Sequence, residues 1–312
     1  MWHRFSTALV ALVLVVTACS GESATTQPTD PPRDGFPVTV ETPTGAVTIA
    51  APPKRIVSLS PTSTEVLFAI GAGDQVVAVD SLSNYPQAAP TTELSAFTPS
   101  VEAISEYLPD LVFISFDPGG VVDGLSALDI AVIVHPTAVS LADAYDQWMQ
   151  TGAATGHLAE AEAVVAATKD AIDEIATEVA DAGAGSSYFY EIDDLLYTTT
   201  SSSFIGQVIA VTGMTNIADG APDPDGYGFP QLSAEFIVEA NPTLILLADA
   251  MCCGQSLETV SERPGWGSMD AVVHGRVVTL DDDIASRWSP RIVTLLEAVA
   301  DTVRATAAGE DS

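Results

Sequence analysis

Glu102 and Glu235 hold the same place in two related stretches, VEAISEYLPDLVFIS (101–115) and AEFIVEANPTLILLA (234–248), 133 positions apart. In each, Ile follows the Glu by two residues (Ile104, Ile237) and Pro follows it by seven (Pro109, Pro242), and the chain then turns apolar. A carboxylate at the start of a short helix complements its partly positive end. If exposed, it also accepts a paired contact from a guanidinium. Other residues with chemical use fall just after predicted strands, where doubly wound sheets hold their ligands. They are Ser60, Leu82, Tyr85 and Phe116 in the first half. In the second half they are Tyr190, Asp193, Tyr197, Asp283, Arg287 and Trp288, with Arg291 close behind at a helix start. Cys252 and Cys253 are adjacent, so in an oxidising compartment they are either a vicinal disulfide or two free thiols. Without a matching Cys or His pair they make a poor structural zinc site.

The elements that must position these groups alternate. Ser100 and Ser233 read as N-caps of short helices that stop ahead of Pro109 and Pro242, and a buried strand follows each. A β ribbon is expected over 38–49, strands over 55–59, 75–79, 111–115 and 131–135, and a helix from Pro61 to Gly71. Ser140 to Ala153 and His157 to Ala182 have helical spacing, and the second would reach roughly 39 Å, enough to run beside two lobes. Strand and helix then alternate again through 188–192, 204–212, the echo segment, 277–280 and a last helix over 290–307. The expected fold class is therefore α/β: two lobes, each a mostly parallel sheet flanked by helices, joined by one long rigid helix. Expected boundaries are 38–139 for the first lobe, 140–183 for the helical segment and 184–312 for the second.

With 312 residues, 47% of them hydrophobic, the chain can fill two cores. Residues 1–18 carry Arg4, the apolar run Ala8 to Val16 and then small residues, the pattern of a signal peptide too short to span a bilayer. Residues 19–37, rich in Ser, Thr, Pro and Gly, read as a flexible tether. The formal net charge of −32 argues against nucleic acid and against anionic lipid headgroups as partners of the protein surface.

Val16-Thr17-Ala18-Cys19 resembles the lipobox of bacterial lipoproteins, which implies lipidation of Cys19 and a membrane anchor on the outer face of the cytoplasmic membrane. RIVSLSPTSTEVLFAIGAGDQVVAVD (55–80), SNYP (83–86), the two echoed segments, VTGMTNIAD (211–219) and SRWSPRIV (286–293) together resemble one family. It is the extracytoplasmic solute-binding proteins of ABC importers for ferric siderophores, haem and cobalamin. The resemblance implies a class III periplasmic-binding-protein fold that is monomeric when free and has no covalent cofactor. Its cargo would be a metal chelate or corrinoid gripped between the lobes, and its partner a permease dimer with ATPase subunits. It further implies that Glu102 and Glu235 sit on the lobe tips and pair with permease arginines, and that Arg287 faces the ligand. One departure is Leu82, which stands where cobalamin binders carry a cleft tyrosine.

Other functions have less support. A bare metal-ion receptor needs three or four converging ligands, whereas His135, His157 and His274 fall on scattered elements. For an enzyme, the chain lacks G-x-S-x-G, H-E-x-x-H and Walker-type loops. A sensor or adhesin ectodomain on the same fold stays open on these residues alone.

Overall fold

The computed structural model describes residues 35–223, 226 and 228–309; Cys19, the signal segment and most of the tether lie outside them. Strands β1 (Val38–Thr42) and β2 (Gly45–Ile49) form an antiparallel ribbon with Val38 opposite Ile49. Strand β3 (Ile56–Leu59) leads into helix α1 (Pro61–Ala69), which is followed by β4 (Val76–Val79). The start of the expected second strand is instead the end of a 3-10 turn over Ala72–Gln75. Helix α2 (Val101–Ser105), β5 (Leu111–Ile114), α3 (Val121–Ser126) and β6 (Ala131–Val134) complete a parallel sheet of order β4-β3-β5-β6.

Two long helices come next, α4 (Leu141–Thr155) and α5 (Leu158–Gly183). Gly152 permits their close turn, since a Cβ there would lie 2.4 Å from that of Ala161. The apolar stripe of α5, from Ala161 through Ile172 to Val179, is buried.

The second parallel sheet contains β7 (Ser187–Glu191), then β8 (Thr215–Asn216) beyond α6 (Phe204–Ala210), then β9 (Leu244–Leu247) beyond α7 (Ala234–Ala240). Helices α8 (Ala250–Cys253), α9 (Leu257–Ser261) and α10 (Asp270–Val273) precede β10 (Val277–Thr279). Helices α11 (Asp282–Ala285) and α12 (Ile292–Ala308) end the chain, and α12 packs along α5. The four short helices α8 to α11 are too short to give a periodic signal, and the sequence reading does not include them.

The order β8-β7-β9-β10 repeats that of the first sheet: second strand, first, third, fourth. In both lobes the third strand follows a serine-capped helix, with Ser100 Oγ accepting from Ala103 N–H and Ser233 Oγ from Phe236 N–H. In both lobes a left-handed residue directly precedes the proline, Leu108 (φ 49°) two residues past the Glu106 cap of α2 and Asn241 (φ 46°) as the cap of α7. An extended residue is the usual neighbour of proline; here a left-handed one occurs twice.

Strand alternation sorts the core into layers. Leu111, Phe113 and Ile133 from the first sheet and Tyr188, Tyr190, Leu244 and Leu246 from the second join one continuous cluster with α4, α5 and α12. The alternate residues Val112, Ile114, Val132 and Val134 pack under α2 and α3. Phe189, Ile245 and Leu247 pack with Ile237 of α7 and Trp266. Each fully buried aliphatic side chain contributes about 1.5–3 kcal/mol, so the shared layer is a large stabilising contact between the lobes.

Candidate functional site

A cavity of about 480 Å³ opens at the carboxyl ends of β7 and β9. Tyr190 and Ile192 form its floor, and Ala248 and Cys252 border it from the β9 side. Ser202, Ser203, Phe204 and Ile205 bring the start of α6 to its wall, with Phe229 nearby. Asp282, Asp283, Ala285, Ser286, Arg287 and Trp288 supply a second wall. From the first half of the chain, Thr137, Ala138 and Val139, between β6 and α4, face them.

Local chemistry fixes these walls. Ser203 caps α6, accepting Gly206 N–H at 3.0 Å and donating to Thr200 O. Gly206 itself is required, because a Cβ would meet Thr200 O at 2.0 Å. Asn216 donates to Thr199 O and to Tyr188 Oη and so ties the loop before α6 to β7. Trp288 donates from Nε1 to Gln147 at 2.7 Å, and its carbonyl accepts Trp148 Nε1–H at 3.0 Å.

Beside the cavity, a buried charge cluster ties one lobe to the other. Glu65 of α1 accepts from Arg287 at 2.7 Å, from Arg291 at 2.8 Å and from Ser289 Oγ. The Arg287 guanidinium also donates to Asn84 Oδ1, to Leu82 O and, at 2.6 Å, to Asp283. Asn84 donates in turn to Asp283 at 2.6 Å, and the Arg291 guanidinium lies 4.0 Å from the Tyr85 ring centre. Single partners removed from such a cluster leave a buried charge uncompensated.

The candidate residues are thus divided. Tyr190, Asp283, Arg287 and Trp288 border the cavity. Ser60 does not present a cleft surface: it is 1% exposed and spends its hydroxyl capping α1 and bonding Ser115. Arg287 borders the cavity, with its guanidinium bonded to Glu65, Asn84, Leu82 O and Asp283. Leu82, Tyr85, Phe116 and Tyr197 are half exposed and lie outside the cavity wall, Phe116 packing on Phe97. Asp193 accepts the N–H groups of Leu195 and Tyr197 and so shapes their turn. Phe204, Phe229, Val139 and Glu65 escape the sequence reading. Glu65 alone carries a signal, as an acid inside the otherwise apolar and hydroxyl-bearing run PTSTEVLFA.

Several titrating groups lie off the cavity wall. Asp249, just past β9, is buried with neither carboxylate oxygen bonded, and burial, reinforced by Glu191, pushes it up to about 7. Glu191 is held by Arg263 through two 2.6 Å contacts. Burial lowers His135 to about 4, only partly opposed by its bond to Gln150. Cys252 and Cys253 are joined as a disulfide at the cavity rim. Among the described residues no three His, Cys, Asp or Glu side chains converge to hold a metal ion. Glu102 and Glu235 are both exposed, in the first turns of α2 and α7.

The periplasmic binding protein family model matches residues 56–284. A Bacillus subtilis protein described as an uncharacterized ABC transporter substrate-binding lipoprotein is 30% identical, with 86% of each chain aligned. A cobalamin-binding protein of Halobacterium salinarum is 31% identical over 95% of this chain and 84% of its own. Among solved structures, a periplasmic solute-binding protein from Staphylococcus epidermidis superposes with a TM-score of 0.70 at 25% identity, over 81% of this chain and 99% of that one. The periplasmic vitamin B12-binding protein of Vibrio cholerae shares the fold at a TM-score of 0.64 and 23% identity, over 82% and 98%. With duplicated sheets, a cavity at their carboxyl ends and a family match over most of its length, this chain belongs to the periplasmic binding protein family.

Proposed function

We propose that this protein is the substrate-binding component of an ABC importer and captures a metal chelate or corrinoid for delivery to a permease dimer with its ATPase subunits. The cavity at the carboxyl ends of β7 and β9 carries this reading: it is of ligand size, walled by Tyr190, Phe204, Phe229 and Trp288, and capped by a few oriented hydroxyls. Cargo of the kind named for the relatives fits such walls. The protein works as a binder without a catalytic step. Its place is extracytoplasmic, monomeric when free and tethered to the membrane through lipidated Cys19. The proposed division takes residues 38–139 and 184–312 as lobes and α5 as the bridge between them, a reading the two separate sheets support.

Glu102 and Glu235 are the proposed docking contacts. They are exposed and occupy matching positions, so two Arg partners would fix both orientation and lobe separation. Trp288 on the cavity wall makes tryptophan fluorescence a direct report of occupancy. Titration with cobalamin, cobinamide, haem and ferric siderophores should give a saturable change with at least one. No response from folded protein would refute the cargo assignment. The double variant Glu102→Lys/Glu235→Lys should keep that affinity and lose cellular uptake; unchanged uptake would remove the docking role.

A further inference from the structure

The cavity wall says what charge its occupant carries. Among the described residues Arg287 is the one cation on that wall, and it is 6% exposed with both terminal nitrogens engaged by Glu65, Asn84, Leu82 O and Asp283. The other cations nearest in sequence are committed elsewhere, Arg291 to Glu65 and Arg276 to Asp270, as is Arg263 to Glu191. Residues 224, 225 and 227, next in the chain to Phe229, are Pro, Asp and Tyr and add no cation.

Negative charge, by contrast, is present. Asp282 and Asp283 both border the cavity. Asp283 is balanced by Arg287, but Asp282 is held by neutral donors, the N–H groups of Met251 at 3.1 Å and Cys252 at 2.6 Å. Those contacts also fill the N-terminal end of α8 with a protein carboxylate. Helix α11 starts with Asp281 as cap and two further acids in its first turn, so its end is filled as well. Helix α6 is only seven residues long, and its cap hydroxyl is already bonded to Gly206. An anion entering this site would leave water for apolar walls, neutral hydroxyls and an uncompensated carboxylate, in a protein of formal net charge −32.

Given the cavity as the ligand site, we infer that its occupant is a neutral or cationic metal complex, and that anionic chelates such as tris-catecholates or propionate-bearing porphyrins are excluded by charge. The exposed hydroxyls of Thr137 and Ser286 suit amide and hydroxamate groups, which need hydrogen bonds rather than counter-charge.

The test varies charge on a constant chelate. Ferrioxamine B, its neutral N-acetyl derivative and its anionic N-succinyl derivative form one series. Cyanocobalamin and its anionic monocarboxylic acid form a second. Ferric enterobactin and haemin are added as anions of other shape. Within the series that binds, the anionic member should bind at least ten-fold more weakly than the neutral one, and Ser286→Lys, an exposed wall position, should narrow that gap. Equal or tighter binding of the anion would overturn the inference. Binding of ferric enterobactin or haemin alone would overturn it too, while leaving the importer reading intact. Binding of nothing in the panel by folded protein would remove the ligand site itself, and the charge inference with it.

Discussion

The two lobes share one plan and divide the work. Each is a four-stranded parallel sheet with strands in the same order, and each has a serine-capped helix, a left-handed residue and a proline ahead of its third strand. The connections beyond those third strands differ. After β5 the first lobe runs through two glycines into α3, whereas after β9 the second inserts the disulfide-bearing α8 and two more short helices. The second lobe provides nearly the whole cavity wall, and the first provides residues 137–139 and the buried acid that anchors the opposite lobe's arginines. Conserving the frame costs no function, because the strands only aim the loops; function diverges in the connections, where backbone is not committed to the sheet.

The largest expected effect comes from breaking the contact that makes the lobes unequal partners. Glu65→Ala leaves Arg287 and Arg291 without their shared buried carboxylate and should cost about 3–5 kcal/mol. At about 2–4 °C per kcal/mol for a chain somewhat smaller than this, the fall in thermal midpoint is readily measured by calorimetry. Glu65→Gln, which keeps an acceptor, should lose less. A loss under about 1 kcal/mol for Glu65→Ala would mean that the cluster does not hold the lobes, and the apolar layer alone does.

That cluster also shows where reading the sequence stops. The duplication was legible because each copy is local: cap, helix, proline and strand lie within about fifteen residues, and every signal is a short-range physical preference. The strand layers were legible for the same reason, from runs such as LVFI and LILL. The commitments of Arg287 were not, since its main partner lies 222 positions away and only the packed fold brings the two together. The aromatics that border the cavity were legible only in part, Tyr190 and Trp288 among them. Phe116 and Tyr197 follow strands yet lie off the cavity, while Phe204 and Phe229 border it from a helix start and a loop whose course no local rule dictates. Position after a strand indicates the correct end of the sheet, but not which side chains converge there.

The next effect tests the sameness of the lobes. Ser100→Ala and Ser233→Ala each remove one side-chain acceptor from the first turn of an equivalent helix. Each should cost about 1 kcal/mol, and the two costs should agree within about 0.5 kcal/mol. Chemical denaturation of both single variants and the double variant measures this. The sites lie in separate layers, so the double variant should show the sum. Unequal losses would show that the helices have diverged in energy despite their common geometry.

The smallest effect in the wild type is a difference in acid response that the lobes partly hide from each other. His135, from the first lobe, is lowered to about 4 against an ordinary 6.5, so the folded state resists its protonation. Its contribution to stability is present at neutral pH and is lost as pH falls from 6.5 toward 4. Asp249, from the second lobe, is raised to about 7 against an ordinary 3.8, so the folded state resists its ionisation. Its contribution is present near pH 4 and is lost as pH rises toward 7. The two slopes oppose one another over the same window. Asp249→Asn should therefore gain on the wild type as pH rises, its thermal midpoint relative to the wild type being higher at about pH 8 than at about pH 5. His135→Asn, whatever fixed loss its altered packing brings, should show a smaller deficit at about pH 5 than at about pH 8. Thermal melts of both variants beside the wild type at the two pH values decide it: parallel shifts across pH would mean that neither group titrates with folding.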